Sequence, residues 1–325
     1  MPLYNVTGIG NAIVDVLCPC EEQFLTDYNI QKGSMTLIDE ERAIELYKAM
    51  DGHATEKSGG SAANTMAGIA SFGGKGAYIG LVSNDALGTI FTNDITDIGV
   101  SYNTPPYIQG LETARSFIFI TPDGERSMNT FLGACTELSV EHVNSFLINN
   151  SSVTYMEGYL FDKEPAKEAF YLSAKLAHEA GKKVSLTLSD SFCVQRHKDD
   201  FLNLIENDID ILFGNEPELC ALYDTDDIDD AFLQASKHCE IVVSTRGSKG
   251  AYISNNGEKL FCPAQPNVTV LDLTGAGDQF AAGFLFGYTQ GLSMEKCGEL
   301  ANKAAAEVIS HIGPRPLIEY KDLLE

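Results

Sequence analysis

The sequence predicts an α/β protein, with a mainly parallel, Rossmann-like sheet carrying helices on both faces and a small β lid beside it. Three features of the chain carry that prediction. Apolar, β-rich runs at 77–83, 153–160, 184–188, 209–214 and 240–245 alternate with helical patterns at 163–180, 196–206 and 229–238, the rhythm of successive βαβ units. These runs are nearly continuous hydrophobic stretches, so their strands are expected to be buried on both faces. The stretch TARSFIFITPDGERSMNTFLG (113–133) breaks the rhythm. It alternates at period two, turns at Pro122-Asp123-Gly124 and alternates again, which is a β-hairpin with no helix after it.

Taken in order, residues 12–37 are poor in helical periodicity and carry turn signals at Asn29 and Gly33, so they are expected to supply strands next to the hairpin. Residues 12–37 and 102–133 together make the predicted lid, inserted in one domain over 1–325. The length of 325 residues suits a single large α/β domain, and no solenoid repeat or Pro/Gly/Ser linker divides it. With 44% hydrophobic residues the chain reads as globular and not disordered.

Lys plus Arg number 22 against 46 Asp plus Glu, a formal charge of -24. That field repels phosphate backbones and anionic headgroups, so neither nucleic acid nor a membrane is an expected partner. An anionic small ligand needs a local device: a cation, a helix N-terminus or a few placed basic residues. The opening MPLYNVTGIGNAIVDVL lacks a basic region followed by an apolar core, and no window approaches a membrane span, which points to the cytoplasm. The eight cysteines are scattered, with Cys18 and Cys20 the nearest pair; they are expected to be reduced and mostly buried, not metal ligands.

Residues 272–287 read DLTGAGDQFAAGFLFG. Phe280, Ala281, Phe284, Leu285 and Tyr288 recur at helical spacing, so a helix is expected to begin at or near Asp278. Gly275, Ala276 and Gly277 then form an anion nest, because first-turn N–H groups lack intrahelical partners and lie at the positive end of the macrodipole. The dipole is expected to keep Asp278 ionised, beside the nest, where it can take the proton of an attacking hydroxyl. Read in isolation, Asp278 fits a plain helix cap as well.

A second glycine-rich stretch, GGSAANTMAGIASFGG (59–74), stands far upstream. It and DLTGAGD resemble, in the right order, the two signatures of the ribokinase-like (PfkB) family of carbohydrate and nucleoside kinases. The resemblance runs from Gly8 into the stretch 301–313, read as a helix. It implies a ribokinase-like fold and ATP-dependent transfer to an alcohol, with Asp278 as base and the amides of Gly275, Ala276 and Gly277 on the phosphate. It further implies that Gly59, Gly60 and Asn64, with Asn11 and Asp15 of GIGNAIVD, bind the acceptor's hydroxyls. Asn215 and Glu218 of GNEPELCAL would organise Mg²⁺ and phosphates through bound water, and Thr245, Arg246 and Gly247 of STRGSKG would lie beside ATP. Arg126 matches a lid arginine that meets the transferred phosphate. Without the resemblance, Asn11 and Asp15 read as turn formers, STRGSKG as a strand-to-hairpin turn and Arg126 as a surface ion-pair partner. One position departs from the family: Leu273 stands where a Thr usually follows the first Asp, with Thr274 next, which puts a hydroxyl contact in doubt. The resemblance leaves open whether a monovalent cation is needed and whether the chain is a monomer or a homodimer.

Within the family, GIGNAIVD, MNTFLGACTELS and DILFGNEPE look more like adenosine kinases than ribokinases. That implies adenosine as acceptor and AMP as product, a purine salvage step. A free sugar (ribose, fructose or ketodeoxygluconate) is the alternative, and a catalytically inactive ligand-binding member a third reading. Phe131, Leu132, Ala134 and Met35 are candidates for an apolar slot holding a base, or for lid core. Other nucleotide folds fit worse: no G-x-G-x-x-G follows the first strand, and GGKGA (73–77) lacks the final hydroxyl residue of a P-loop.

Overall fold

The computed structural model describes residues 2–50 and 52–324, and its strands form two sheets. In chain order they are β1 (Tyr4–Ile9), β2 (Ile13–Pro19), β3 (Met35–Leu37), β4 (Thr55–Ser58), β5 (Gly76–Ile79), β6 (Ser101–Tyr102), β7 (Ala114–Ile120), β8 (Arg126–Phe131), β9 (Ser151–Glu157), β10 (Lys183–Thr187), β11 (Ile211–Asn215), β12 (Ile241–Thr245), β13 (Ala251–Asn255) and β14 (Glu258–Cys262). The main sheet has nine strands in the order β14-β13-β12-β11-β10-β9-β1-β5-β6. From β6 to β12 neighbours run parallel, and β13 and β14 close one edge antiparallel.

The fold is ribokinase-like α/β, with helices on both faces of this sheet, as the apolar runs predict. One face is covered by Ser61–Ser71, Ala276–Thr289 and Met294–Val308, whose Met66, Phe284 and Leu300 pack on Val6, Tyr155 and Phe213 of the sheet. The other face carries Glu164–Glu179, Lys198–Asp208, Glu216–Leu222 and Ile228–Ala235, with Phe170, Phe201 and Leu219 against Ile9, Met156 and Leu186. Strands β9 to β12 are buried along almost their whole length, the reason their sequences do not alternate.

The second sheet has five strands in the order β3-β8-β7-β2-β4. The predicted hairpin is its middle: β7 and β8 pair antiparallel with Ser116 opposite Thr130, and the turn closes with Gly124 at φ +83 and Thr121 Oγ1 donating to Asp123. Here period two sorts side chains cleanly. Phe117, Phe119 and Phe131 point to a core under the helices Glu22–Asp27 and Glu40–Ala49, with Leu25, Ala43 and Leu46. Ser116, Ile118, Met128 and Thr130 take the opposite face.

Several sequence-based boundaries move. Ser101–Tyr102 pairs with β5 in the main sheet, while Thr55–Ser58, outside the segments 12–37 and 102–133, adds an edge strand to the small one. Residues 22–27 are helical despite their weak periodicity, because the short helix needs to bury only Leu25. The long C-terminal helix stops at Val308, short of Gly313. No helix among the described residues is long and apolar enough to cross a membrane. The cysteines are unpaired, and all but Cys20 and Cys220 are buried.

Candidate active site

The strand order reverses around β1, which pairs with β9 on one side and β5 on the other. Parallel strands diverge at such a point and leave a crevice beyond their carboxyl ends. A cleft of about 460 Å³ opens there, between the main sheet and the small one. Its floor is polar: Asn11 just past β1, Glu157 at the end of β9 and Asp278 line it. Its roof is the inner face of the small sheet, where Ile13, Met35, Leu37, Ile118, Met128 and Leu132 flank a polar row of Asp15, Ser116 and Thr130.

The helix Ala276–Thr289 starts two residues earlier than the apolar spacing suggests, with Gly275 as its N-cap at φ +81. A Cβ on Gly275 would lie 2.6 Å from Pro314 Cα, whereas Gly277 has open space where its side chain would be. One glycine therefore makes the left-handed turn against 314, and the other keeps the helix tip uncovered. The Ala276 N–H closes a turn on the Leu273 carbonyl. Among the described residues the N–H groups of Gly275, Gly277 and Asp278 have no acceptor, so these three form the nest.

Asp278 sits in the first turn but does not cap it. Its Oδ1 accepts from Ser61 Oγ at 2.6 Å and its Oδ2 from Asn64 Nδ2 at 3.0 Å. Burial raises its pKa above the usual carboxylate range, against the lowering effects of Ser61, Asn64 and the Arg315 charge. Desolvation thus outweighs the ionising influence expected from the dipole, and the raised pKa suits a group that must accept a proton.

The Gly59-Gly60 pair is explained by the chain's own approach. Gly60 lies at φ +90, where a Cβ would be 2.3 Å from the Asn11 carbonyl oxygen, and a Cβ on Gly59 would lie 2.5 Å from the Asp15 carboxylate. These contacts bring the helix Ser61–Ser71 down on the floor. Asn64 faces inward, its amide shared between Asp278 and Arg315 Nε, 3.1 Å away. Glu157, which lies in none of the sequence motifs, anchors the same corner: Oε1 accepts from Asn11 Nδ2 at 3.1 Å and Oε2 from the Ala62 N–H at 2.9 Å. Burial pushes its pKa up to about 7, and does the same for Asp15, where Arg315 and Arg126 pull the other way. A carboxylate ending an otherwise apolar strand run was the signal for Glu157. Arg315, in the post-helix stretch GPRP, carried none.

Asn215 caps the helix Glu216–Leu222 in a reciprocal box. Its Oδ1 accepts the Glu218 N–H at 2.9 Å, and Glu218 accepts from the Asn215 N–H and Nδ2 at 2.9 and 2.6 Å. Burial raises Glu218 to about 7. A neighbouring pocket of about 480 Å³ shares Asn215 with the cleft and is lined by Thr245, Arg246 and Gly247 beyond β12. Arg246 pairs with Glu216 at 3.2 Å and lies over the Tyr252 ring. No group of three or more His, Cys, Asp or Glu among the described residues is arranged to cage a metal. With both Glu218 oxygens held by Asn215, the donor set fits a hydrated Mg²⁺ bound mainly by phosphates and reached through water.

Arg126 reaches from β8 to the start of the nest, where Nη2 lies 2.8 Å from Asp272 Oδ2 and Nη1 3.4 Å from Thr274 Oγ1. Asp272 also accepts from Thr274 Oγ1 at 2.7 Å and the Gly313 N–H at 2.8 Å. The threonine hydroxyl in DLTGAGD therefore serves the first aspartate, while Leu273 stands 69% exposed at the cleft. Of the apolar candidates for a base slot, Met35 and Leu132 line the cleft; Phe131 lies on the far face of the small sheet and Ala134 is fully buried.

Comparisons with known proteins agree with this architecture. A probable sugar kinase from Rhizobium etli CFN 42 is 49% identical, with 99% of this chain and 98% of that one covered and a TM-score of 0.92. The adenosine kinase from Sinorhizobium meliloti is 48% identical over 98% of both chains, with a TM-score of 0.91. Adenosine kinase 1 of Arabidopsis thaliana is 25% identical over 94% of each chain. The model of the pfkB family of carbohydrate kinases matches residues 33–320. With nest, carboxylate and both glycine-rich turns assembled at one sheet edge, the chain belongs to the pfkB carbohydrate kinase family and is an ATP-dependent kinase acting on an alcohol group.

Proposed function

We propose that this kinase phosphorylates the 5′-hydroxyl of a nucleoside, adenosine first among them. The observation that carries the choice is the apolar patch that the cleft sets beside its polar groups. Asn11 and Glu157 on the floor and Asp15 on β2 offer donors and acceptors to ribose hydroxyls, while Met35, Leu37, Met128 and Leu132 present that patch from the small sheet with Tyr159 at the side. A purine fills that apolar space, whereas a free sugar would leave polar groups against it. The similarity to the Sinorhizobium meliloti adenosine kinase supports the same reading.

On this reading the small sheet is a lid, and its closure keeps water from the triphosphate. Thr245, Arg246 and Gly247 hold the nucleotide from the neighbouring pocket, and the amides of Gly275, Gly277 and Asp278 receive the triphosphate tail. Glu218 would hold Mg²⁺ through water, and the cation would supply charge neutralisation on the phosphates. Asp278, oriented by Ser61 and Asn64, accepts the acceptor hydroxyl's proton as that oxygen bonds to the γ-phosphorus and the bond to the β,γ-bridging oxygen breaks, releasing ADP. Arg126 stands beside the nest to offset the charge that gathers on the transferred group.

The sugar reading is supported by the similarity to the probable sugar kinase from Rhizobium etli CFN 42 and by the carboxylates of the cleft, which suit a ligand with hydroxyls on every side. ADP release measured with adenosine, ribose, fructose and ketodeoxygluconate under the same Mg·ATP separates the two. Adenosine is expected to give the highest kcat/KM, and turnover of a free sugar with adenosine inert would refute the nucleoside assignment. In the same assay Asp278→Asn is expected to lose at least about 1,000-fold in kcat while still binding ATP.

A further inference from the structure

Arg315 lies outside the cleft lining, yet it touches the group that orients the base. Its Nε donates to Asn64 Oδ1 at 3.1 Å, and the other end of that amide donates from Nδ2 to Asp278 Oδ2 at 3.0 Å. Gln279, the residue after Asp278, ties the same three pieces of chain together: its Nε2 donates to the carbonyls of Asn64 and Pro314, both at 2.9 Å. Arg315 Nη2 is shielded from solvent with no acceptor, and among the described residues no carboxylate lies within ion-pair distance of the guanidinium. A desolvated arginine held this way is not an ordinary surface ion pair.

The chemistry of the amide makes the contact directional. The oxygen and nitrogen of an asparagine amide are nearly the same size, so packing alone leaves two orientations open. A flipped Asn64 would press Oδ1 against the Asp278 carboxylate and Nδ2 against a guanidinium that can only donate. Arg315 admits one orientation, the one with the donor on Asp278. We propose that Arg315 is a positioning residue for phosphoryl transfer: it fixes the Asn64 amide, and through it the carboxylate that meets the acceptor hydroxyl. The inference rests on Asp278 being the base.

Its charge acts in the same sense. Arg315 is the cation that lowers the Asp278 pKa against burial. The other titratable groups coupled to Asp278 are Asp15 on β2 and Tyr155 and Glu157 on β9, and Arg315 also feels Asp94 and Tyr78.

The test is a set of variants in the full chain, with steady-state kinetics from acid to alkaline pH. Arg315→Met is expected to lower kcat about tenfold or more, leave KM for ATP unchanged and move the acid limb of kcat to higher pH. Arg315→Lys retains a cation and a donor and is expected to return that limb towards its original position. In Asn64→Leu combined with Arg315→Met the losses are expected to fall well short of multiplying, because the arginine works largely through the amide. If Arg315→Met does not fold, Arg315→Gln, neutral but still a donor, replaces it and is expected to show the displaced limb. An unaltered kcat and pH profile in the neutral variant, a lysine variant no better than it, or fully multiplying losses would each overturn the proposal. Asp278→Asn runs alongside: if it is inactive while Arg315 proves indifferent, the reading of the base stands and only the positioning role falls.

Discussion

Replacing Glu157 by Gln tests the electrostatics of the cleft floor through stability. Glu157 is 1% exposed, accepts from Asn11 and Ala62, and has its pKa pushed by burial from the ordinary 4.5 to about 7. Between those values the folded protein holds a proton on this group that the unfolded chain has released. Stability from this group is therefore present at low pH, falls as pH rises through the window and levels off above about 7. The span from 4.5 to about 7 amounts to roughly 3 kcal/mol at 1.36 kcal/mol per pH unit. In Glu157→Gln that titration disappears. The new Oε1 accepts the Ala62 N–H, and the new Nε2 meets Asn11 once its amide turns to present Oδ1, so no polar group is orphaned. Urea unfolding of both proteins from pH 5 to 8 is expected to show the variant gaining on the parent by about 3 kcal/mol across the range. A residual fall with pH should remain in both, because Asp15 and Glu218 are raised in the same way. Parallel curves, or a variant that loses ground as pH rises, would refute the argument that Glu157 is ionised at a desolvation cost.

Two further perturbations address the nest. Gly275→Ala forces a side chain onto a φ of +81 with its Cβ 2.6 Å from Pro314 Cα, and is expected to destabilise the fold by about 2 kcal/mol or more and to depress kcat; a urea midpoint equal to the parent's would contradict the packing described. Arg126→Gln removes the contact to Asp272 at 2.8 Å but leaves Asp272 its bonds from Thr274 and Gly313. It is expected to lower kcat by about tenfold or more with little change in unfolding midpoint, and full turnover in this variant would remove Arg126 from the mechanism.

The sheet rhythm, the hairpin and both glycine-rich turns were legible in the sequence because each is a local pattern of period or punctuation. What escaped it depended on contacts between distant segments. Thr55–Ser58 reads TEKS, too short and polar to announce a strand, and becomes one only because Ser58 and Thr55 find Val14 and Leu17 on β2. Phe131 was a reasonable candidate for a base slot until the register fixed Met128 and Thr130 on the cleft face and left Phe131 on the other. The resemblance assigned the Gly59-Gly60 pair to the acceptor, whereas in the fold both glycines make room for the chain itself, at Asn11 and Asp15. Glu157 and Arg315 belong to no motif. Their importance comes from the groups brought to them across 95 and 251 positions of chain, the Ala62 amide and the Asn64 side chain.

A chain of net charge -24 that crowds Asp15, Glu157, Glu218 and Asp278 around one cleft is a poor receptacle for a polyanion on charge count alone. Burial resolves the contradiction. It raises Asp15, Glu157 and Glu218 to about 7, so near neutral pH each is only partly ionised, and the field at the helix tip is weaker than the count of acids implies. The opposing contributions are short-range and directional: three unpaired amides in the nest and Arg126 beside it. Hydroxyls, in contrast, are served well by protonated and ionised carboxyls alike, since the first donates and the second accepts. The floor can therefore hold a polyhydroxylated acceptor and the nest a phosphate within one cleft, and Asp278, whose carboxylate faces the floor from the first turn of the nest's own helix, is where the two chemistries meet.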